Sequence, residues 1–217
     1  MCFSAPASFI AAVGIGAAGA VIAVRAKSAQ DLALAAFPLT FAVQQAVEGA
    51  LWIQLGAHEG TCSGPLANGF LFFALLAWPV LAPFAALLSE PSTTRRRIML
   101  AALVAGVVVT IIMTPEMMLH PYVAIVRGSS ISYLNDETYS RALEALYAFA
   151  VCAPLLASSR PRVVVFGGLV IIGAVVTYFV FHHARASVWC FFAAAASVVL
   201  AAPRVKALER GHTLKAS

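Results

Sequence analysis

The sequence predicts an all-α protein: a bundle of seven transmembrane helices, with the N-terminus outside and the C-terminus inside. Three observations predict it. Of the 217 residues, 62% are hydrophobic and only 11% are charged, where an ordinary soluble domain carries about 25% charged residues. The apolar residues gather into seven runs, each near the length of about 20 helical residues that a hydrocarbon core requires. The basic residues stand between these runs, in short clusters that fall almost wholly on one side. The net charge of +5 is then a mark of membrane topology, and a nucleic-acid partner is not expected.

The runs are taken in chain order. The first, Ala7–Val24, has its basic residues after it and none before it. It therefore lacks the positive leader of a cleaved signal and is expected to stay as a helix. Within it Gly14–Gly19 reads GIGAAG, the spelling of a dinucleotide-binding turn. That turn needs a strand before it and a βαβ unit around it. An apolar helix supplies neither, so Ala12, Gly16 and Ala20 read as a stripe of small residues for close helix packing. The second run, Leu32–Leu55, includes Pro38 and the polar residues Gln44, Gln45 and Glu48. The third, Leu66–Leu88, has Asn68 in its first turn and Pro79 and Pro83 further on. The fourth is Ile98–Met113. The fifth is Ala142–Ala157. The sixth, Val163–Phe181, contains Gly167, Gly168 and Gly173, again expected at helix contacts. The seventh is Ala186–Ala202. The fourth, fifth and seventh are short, and their ends are expected to extend into the flanking polar residues. Residues 1–203 form a single membrane domain, and 204–217 a basic cytoplasmic tail.

One segment outside the runs has structure of its own. In the stretch 114–140, YVAIVRGSSISYL reads as strand, turn, strand: Tyr122 to Val126, turn chemistry at Arg127–Ser130, then Ile131 to Leu134.

Charge sets the orientation. Arg25 and Lys27 follow run 1, Arg95, Arg96 and Arg97 precede run 4, Arg160 and Arg162 separate runs 5 and 6, and Arg204, Lys206, Arg210 and Lys215 follow run 7. With seven crossings these 11 residues lie on one side, and only Arg127, Arg141 and Arg185 of the 14 lie on the other. The positive side is the cytoplasmic one.

The outer end collects the residues that carry chemistry. Gln45, Glu48 and Trp52 are spaced i, i+3, i+7 and share one helical face. A carboxylate at membrane depth costs about 2.5–3.5 kcal/mol on insertion scales, so it faces the interior or water. It serves either as a functional group or as a hydrogen-bonded link between helices through Gln44 or Gln45. Asn68, Tyr178, His182, Arg185 and Cys190 are expected at the same level, which gives a ligand-binding set of Gln45, Glu48, Trp52, Asn68, Tyr178, His182, Arg185 and Cys190. Trp52 and Trp189 also suit the membrane interface without any ligand. Glu48, His182 and His183 are competent metal ligands, but their spacing matches no metal motif. Cys2, Cys62 and Cys190 fall on the oxidising side, as a disulfide with one thiol left over or as inert buried thiols.

Three stretches carry a resemblance. MCFSAPASF at the start, QQAVEGALW in run 2 and SVWCFFAAAAS in run 7 resemble an uncharacterised family of bacterial multi-pass membrane proteins that begin MCFSA-x-ASF. The resemblance covers the whole chain. It implies a location in the bacterial inner membrane and implies no activity. The expected function is binding, sensing or transport of a small ligand or lipid in an outward-facing polar pocket centred on Glu48, with the bilayer as partner and no cofactor named. One alternative is a metal-dependent membrane hydrolase. Seven-helix lipid hydrolases of the ceramidase-related type use membrane His, Asp and Ser ligands, whose spacing this chain does not reproduce. The other is a structural subunit of a membrane complex. A retinal protein is excluded, because run 7 holds no lysine.

Overall fold

The computed structural model describes residues 4–120, 122–134 and 140–202. Among these the chain forms seven helices and three short strands: α1 Ala5–Arg25, α2 Ala29–Ala57, β1 Thr61–Ser63, α3 Pro65–Ser89, α4 Thr93–Leu119, β2 Val123–Arg127, β3 Ser130–Leu134, α5 Arg141–Leu156, α6 Pro161–Val180 and α7 Arg185–Ser197, which runs on as a 3₁₀ turn Val198–Ala201. Each helix corresponds to one of the seven predicted runs.

Local chemistry sets the helix ends. Ser4, Ser28 and Ser140 cap α1, α2 and α5, their hydroxyls accepting from the N–H of Ala7, Asp31 and Leu143. Pro161 opens α6 at a position where the missing N–H costs nothing. The fourth helix extends beyond its apolar run at both ends, as expected of so short a run, from Thr93 to Leu119. In its last turns the Thr114 hydroxyl donates back to the Thr110 carbonyl, 2.7 Å, and His120 pairs with Glu116 at 3.0 Å. The hairpin stands as expected, with Arg127 paired to Ser130 across a two-residue turn. Gly128 takes φ +62 there, a conformation open to glycine. The short strand β1 was not expected. It pairs Cys62 with Ala124, which makes a three-stranded antiparallel sheet in the order β1-β2-β3.

The links between helices gather at two ends. At one end Arg160 donates to Asp31, 2.9 Å, and to the Ser89 carbonyl, 2.8 Å, while Arg162 reaches the carbonyls of Leu200 and Ala202. This joins the α1–α2, α3–α4 and α5–α6 links and the end of α7. It is also the basic end, carrying Arg25, Lys27, Arg95, Arg96 and Arg97. At the other end the sheet joins the α2–α3 link to the α4–α5 link. Ser132 donates to the His183 carbonyl, 2.6 Å, and so ties in the α6–α7 link.

Helix α3 is not regular. Its middle, Phe72–Ala77, is a π-helical turn in which the Trp78 N–H bonds to the Phe73 carbonyl. Proline explains the result. In that register the N–H of residue 79 would serve the Ala74 carbonyl, but Pro79 has none. The Tyr147 hydroxyl of α5 donates to Ala74 instead, 2.5 Å. The next turn repeats the device: Pro83 has no N–H for the Pro79 carbonyl, and Gly106 of α4 packs against that oxygen. A Cβ on Gly106 would lie 1.8 Å from it. Thr110, one turn on, donates to the Leu76 carbonyl, 2.9 Å.

Glycine contacts elsewhere follow the expectation in part. A Cβ at Gly16 would meet Ala42 at 3.3 Å and one at Gly167 would meet Leu155 at 2.7 Å, whereas Gly168 faces open space. On α1 the buried face is Ser8, Ile15 and Gly19, and Ala20 points outward.

Candidate functional site

The polar residues of α2 turn inward. Gln44, Gln45 and Glu48 are all buried, since a face with this much hydrogen-bonding capacity is costly anywhere but against partners. Glu48 accepts from the Gln45 amide at 3.2 Å and from the Ser187 hydroxyl of α7 at 2.5 Å. Gln44 accepts from the Trp78 indole N–H of α3 at 2.7 Å and lies beside Cys190. Three helices are thus bolted together by side-chain hydrogen bonds. Among the described residues no Lys, Arg or His pairs with the Glu48 carboxyl.

The open space lies one layer further out. A cleft of about 420 Å³ sits between α3, α5, α6, the start of α7 and the sheet. Tyr122 and Tyr133 of the hairpin, Tyr147 of α5 and Trp189 and Cys190 of α7 line its depth; Glu144, Tyr178 and Arg185 stand at its mouth. The walls are fixed. Tyr133 stacks on Phe70 with ring centroids 5.1 Å apart. The Trp189 indole donates to the Val170 carbonyl at 3.0 Å, and Tyr147 is held on Ala74. Arg185 and Glu144 form an exposed ion pair at the mouth, 3.4 Å. Two lining residues, Tyr133 and Thr177, have buried hydroxyls with no hydrogen-bond partner among the described residues.

The predicted ligand set therefore divides. Tyr178, Arg185 and Cys190 line the cleft. Gln45 and Glu48 form the layer behind it, touching the cleft only through their neighbours Tyr133 and Cys190. Asn68 and Trp52 lie outside the lining. Trp52 borders a separate, more open groove of about 680 Å³ beside β1 and β2. The His182 side chain and Cys2 lie outside the described residues. His183 lines the cleft, and its Nε2 lies 3.4 Å from the Ser130 hydroxyl. Among the described residues no three His, Cys, Asp or Glu side chains come together as a metal site. Cys62 and Cys190 are buried and are not bridged to each other.

Sequence reasoning missed four tyrosine and threonine positions of the cleft, Tyr122, Tyr133, Tyr147 and Thr177. In an apolar run a tyrosine reads as core or interface. The hairpin, which places two of them, brings residues far apart in the chain into one wall.

Also missed was a second buried acid, at the basic end. Glu90 accepts from the Ser92 N–H at 3.0 Å, from the Ser159 N–H at 2.7 Å, and from the hydroxyls of Ser158 and Ser159. Burial raises its pKa, but these hydrogen bonds outweigh burial and hold the carboxyl below the usual glutamate value. The signal was present in sequence as an acid two residues past an apolar run, with a Ser-Ser-Arg link further on.

No curated protein and no solved structure matches the chain. A family match spans residues 1–213, and the chain belongs to that family, described as a family of unknown function (DUF6629).

Proposed function

We propose that the chain is an integral protein of a bacterial inner membrane, that all seven helices cross the bilayer with the N-terminus outside, and that the cleft binds a small ligand or lipid, for sensing or transport. Four helices, Ala5–Arg25, Pro65–Ser89, Thr93–Leu119 and Pro161–Val180, are long and apolar enough to cross. Helix α2 is longer still, at 29 residues, and its polar residues are buried among the other helices, so they do not bar it from the bilayer. The outer surface is oily: Val13 is 74% exposed, Ile111 64% and Ile172 60%, as lipid-facing residues are. The positive end is the cytoplasmic one by the charge rule. The N-terminus, the sheet and the cleft then open outward.

The observation that carries the binding reading is the cleft itself. At about 420 Å³ it falls in the range of small-molecule sites, about 300–1,000 Å³, and has their make-up of apolar walls with a few fixed polar groups. The experiment is native mass spectrometry of gently extracted protein, with Ala174→Trp as a variant that fills the cleft. A bound small molecule present in the wild type and lost in the variant is expected. A bound species unchanged by the variant refutes the cleft as the site. For topology, an N-terminal tag should react with an impermeant reagent on intact cells and a C-terminal tag only after permeabilisation. Both ends on one side would refute seven crossings.

A further inference from the structure

We propose that the cleft holds the headgroup of a zwitterionic phospholipid with a primary ammonium, drawn from the outer leaflet: the phosphate on Arg185, the ammonium on Glu144 and the start of the chains in the apolar depth. This rests on the reading of the chain as a membrane protein with a ligand cleft.

The source is the bilayer because the cleft lies between two membrane helices that splay. Toward the basic end α5 and α6 touch closely, and a Cβ on Gly167 would meet Leu155 at 2.7 Å. Toward the sheet they part. Glu144, Tyr147 and Ala148 of α5 then line one side of the cleft, and Ala174, Thr177 and Tyr178 of α6 the other. The surface of α6 beside this opening is apolar, with Val175 51% and Phe179 76% exposed. The depth is apolar too: Leu71, Leu75 and Met113 stand with Tyr147 and Trp189. At about 420 Å³ the cleft takes a headgroup and the beginning of the chains, and the rest of the lipid stays in the bilayer.

The headgroup follows from the charges. The lining carries one carboxylate, Glu144, one guanidinium, Arg185, and one imidazole, His183. Arg185 and Glu144 touch through a single Nη1–Oε1 contact of 3.4 Å, with side chains 55% and 49% exposed. Among the described residues neither has another partner, so most of the guanidinium fork and one carboxylate oxygen are open to a ligand. An exposed pair of this kind is worth little and opens readily. An anion alone that takes Arg185 sets its charge against Glu144, and a cation alone that takes Glu144 sets its charge against Arg185. A headgroup with both charges exchanges one long contact for two good ones, since a phosphate fits the arginine fork with two bonds and an ammonium donates to the carboxylate. Two features weight the site toward the anionic part. His183, whose Nε2 lies 3.4 Å from the Ser130 hydroxyl, adds positive charge when protonated. Helix α7 begins in the cleft wall at Ala184, Arg185 and Ala186 without a side-chain cap, and a helix start carries partial positive charge. The order of preference is zwitterion, then anion, then cation.

The test uses full-length protein in uncharged maltoside micelles at low salt, with four probes: dioctanoyl phosphatidylethanolamine, dioctanoyl phosphatidylglycerol, octylamine and free phosphoethanolamine. Binding is read as a rise in melting temperature with probe concentration. The phosphatidylethanolamine should bind, the phosphatidylglycerol about tenfold more weakly, and octylamine more weakly still. Free phosphoethanolamine lacks the chains and should bind far more weakly than the lipid. Arg185→Gln should weaken both phospholipids about tenfold, the worth of a charge-assisted hydrogen bond. Glu144→Gln should weaken the phosphatidylethanolamine by about as much, while phosphatidylglycerol binds as before or more tightly. Without probe both variants should melt within about 4 °C of the wild type, because the pair they break is exposed. Phosphatidylglycerol or octylamine binding as tightly as the phosphatidylethanolamine, or full affinity for it in both variants, overturns the zwitterion. Free phosphoethanolamine binding as tightly as the lipid overturns the bilayer as the source. If none of the probes binds and a co-purified molecule is nevertheless lost in Ala174→Trp, the cleft stands as a site and only this ligand class falls.

Discussion

Replacing Gly106 by alanine sets one methyl group against a backbone carbonyl that cannot move aside. The added Cβ would lie 1.8 Å from the Pro79 oxygen and 2.5 Å from the Pro79 carbonyl carbon. An ordinary carbon–oxygen contact is about 3.3 Å, so α3 and α4 must part by about 1.5 Å at this level. Overfilling a packed site costs about 1–3 kcal/mol where side chains can shift. Here the obstacle is main chain, and parting the helices also stretches the Thr110 bond to Leu76, so the upper figure applies, about 3 kcal/mol. At about 2–4 °C per kcal/mol for a chain of this size, the melting temperature should fall by about 6–12 °C. The assay is tryptophan fluorescence during heating, in one detergent at fixed concentration. Gly168→Ala is the control, since that position faces open space and alanine is a better helix former by about 1 kcal/mol. A Gly106→Ala protein that melts within about 2 °C of the wild type, or a Gly168→Ala protein that falls as far, would refute the close approach of Gly106 to the proline-freed carbonyl.

Two further outcomes follow from the two buried acids. Glu48→Ala leaves the Ser187 hydroxyl and the Gln45 amide without their acceptor and should cost about 2–4 kcal/mol, whereas Glu48→Gln keeps a carbonyl for Ser187 and should cost about 1 kcal/mol or less; denaturation midpoints of the two variants check this, and equal losses would show that Ser187 does not rely on the carboxyl oxygen. Glu90 gives a pH dependence. Its folded pKa is depressed, so its stabilising contribution is complete above the ordinary glutamate value and is lost as pH falls through the folded value. The gap in melting temperature between wild type and Glu90→Gln should therefore be widest near neutral pH and close as the pH drops below the ordinary glutamate range; a gap that stays constant down to pH of about 3 would remove the charged-clamp reading.

Helix number and approximate span were legible in the chain, because long apolar runs broken by charge leave a one-dimensional trace. The grouping of the basic links was legible as well, and they do gather at one end through Arg160 and Arg162. The hairpin at 123–134 was legible from its glycine turn. The inward turn of Glu48 was legible too, since a carboxyl at that depth has few places to go, and Gln45, three residues before it, is its partner.

What the chain did not disclose is where the space is. The pattern of polar residues pointed to Glu48 as a centre, whereas its hydrogen bond to Ser187 joins residues 139 positions apart and the cleft lies one layer away. The splay of α5 from α6, the π-helical turn before Pro79 and the short strand β1 each depend on partners distant in sequence: Leu155 against Gly167, Tyr147 against Ala74, Ala124 against Cys62. Local sequence sets which residues avoid water and lipid. Only packing in three dimensions decides which of their polar atoms find partners and where space is left between the helices and the hairpin.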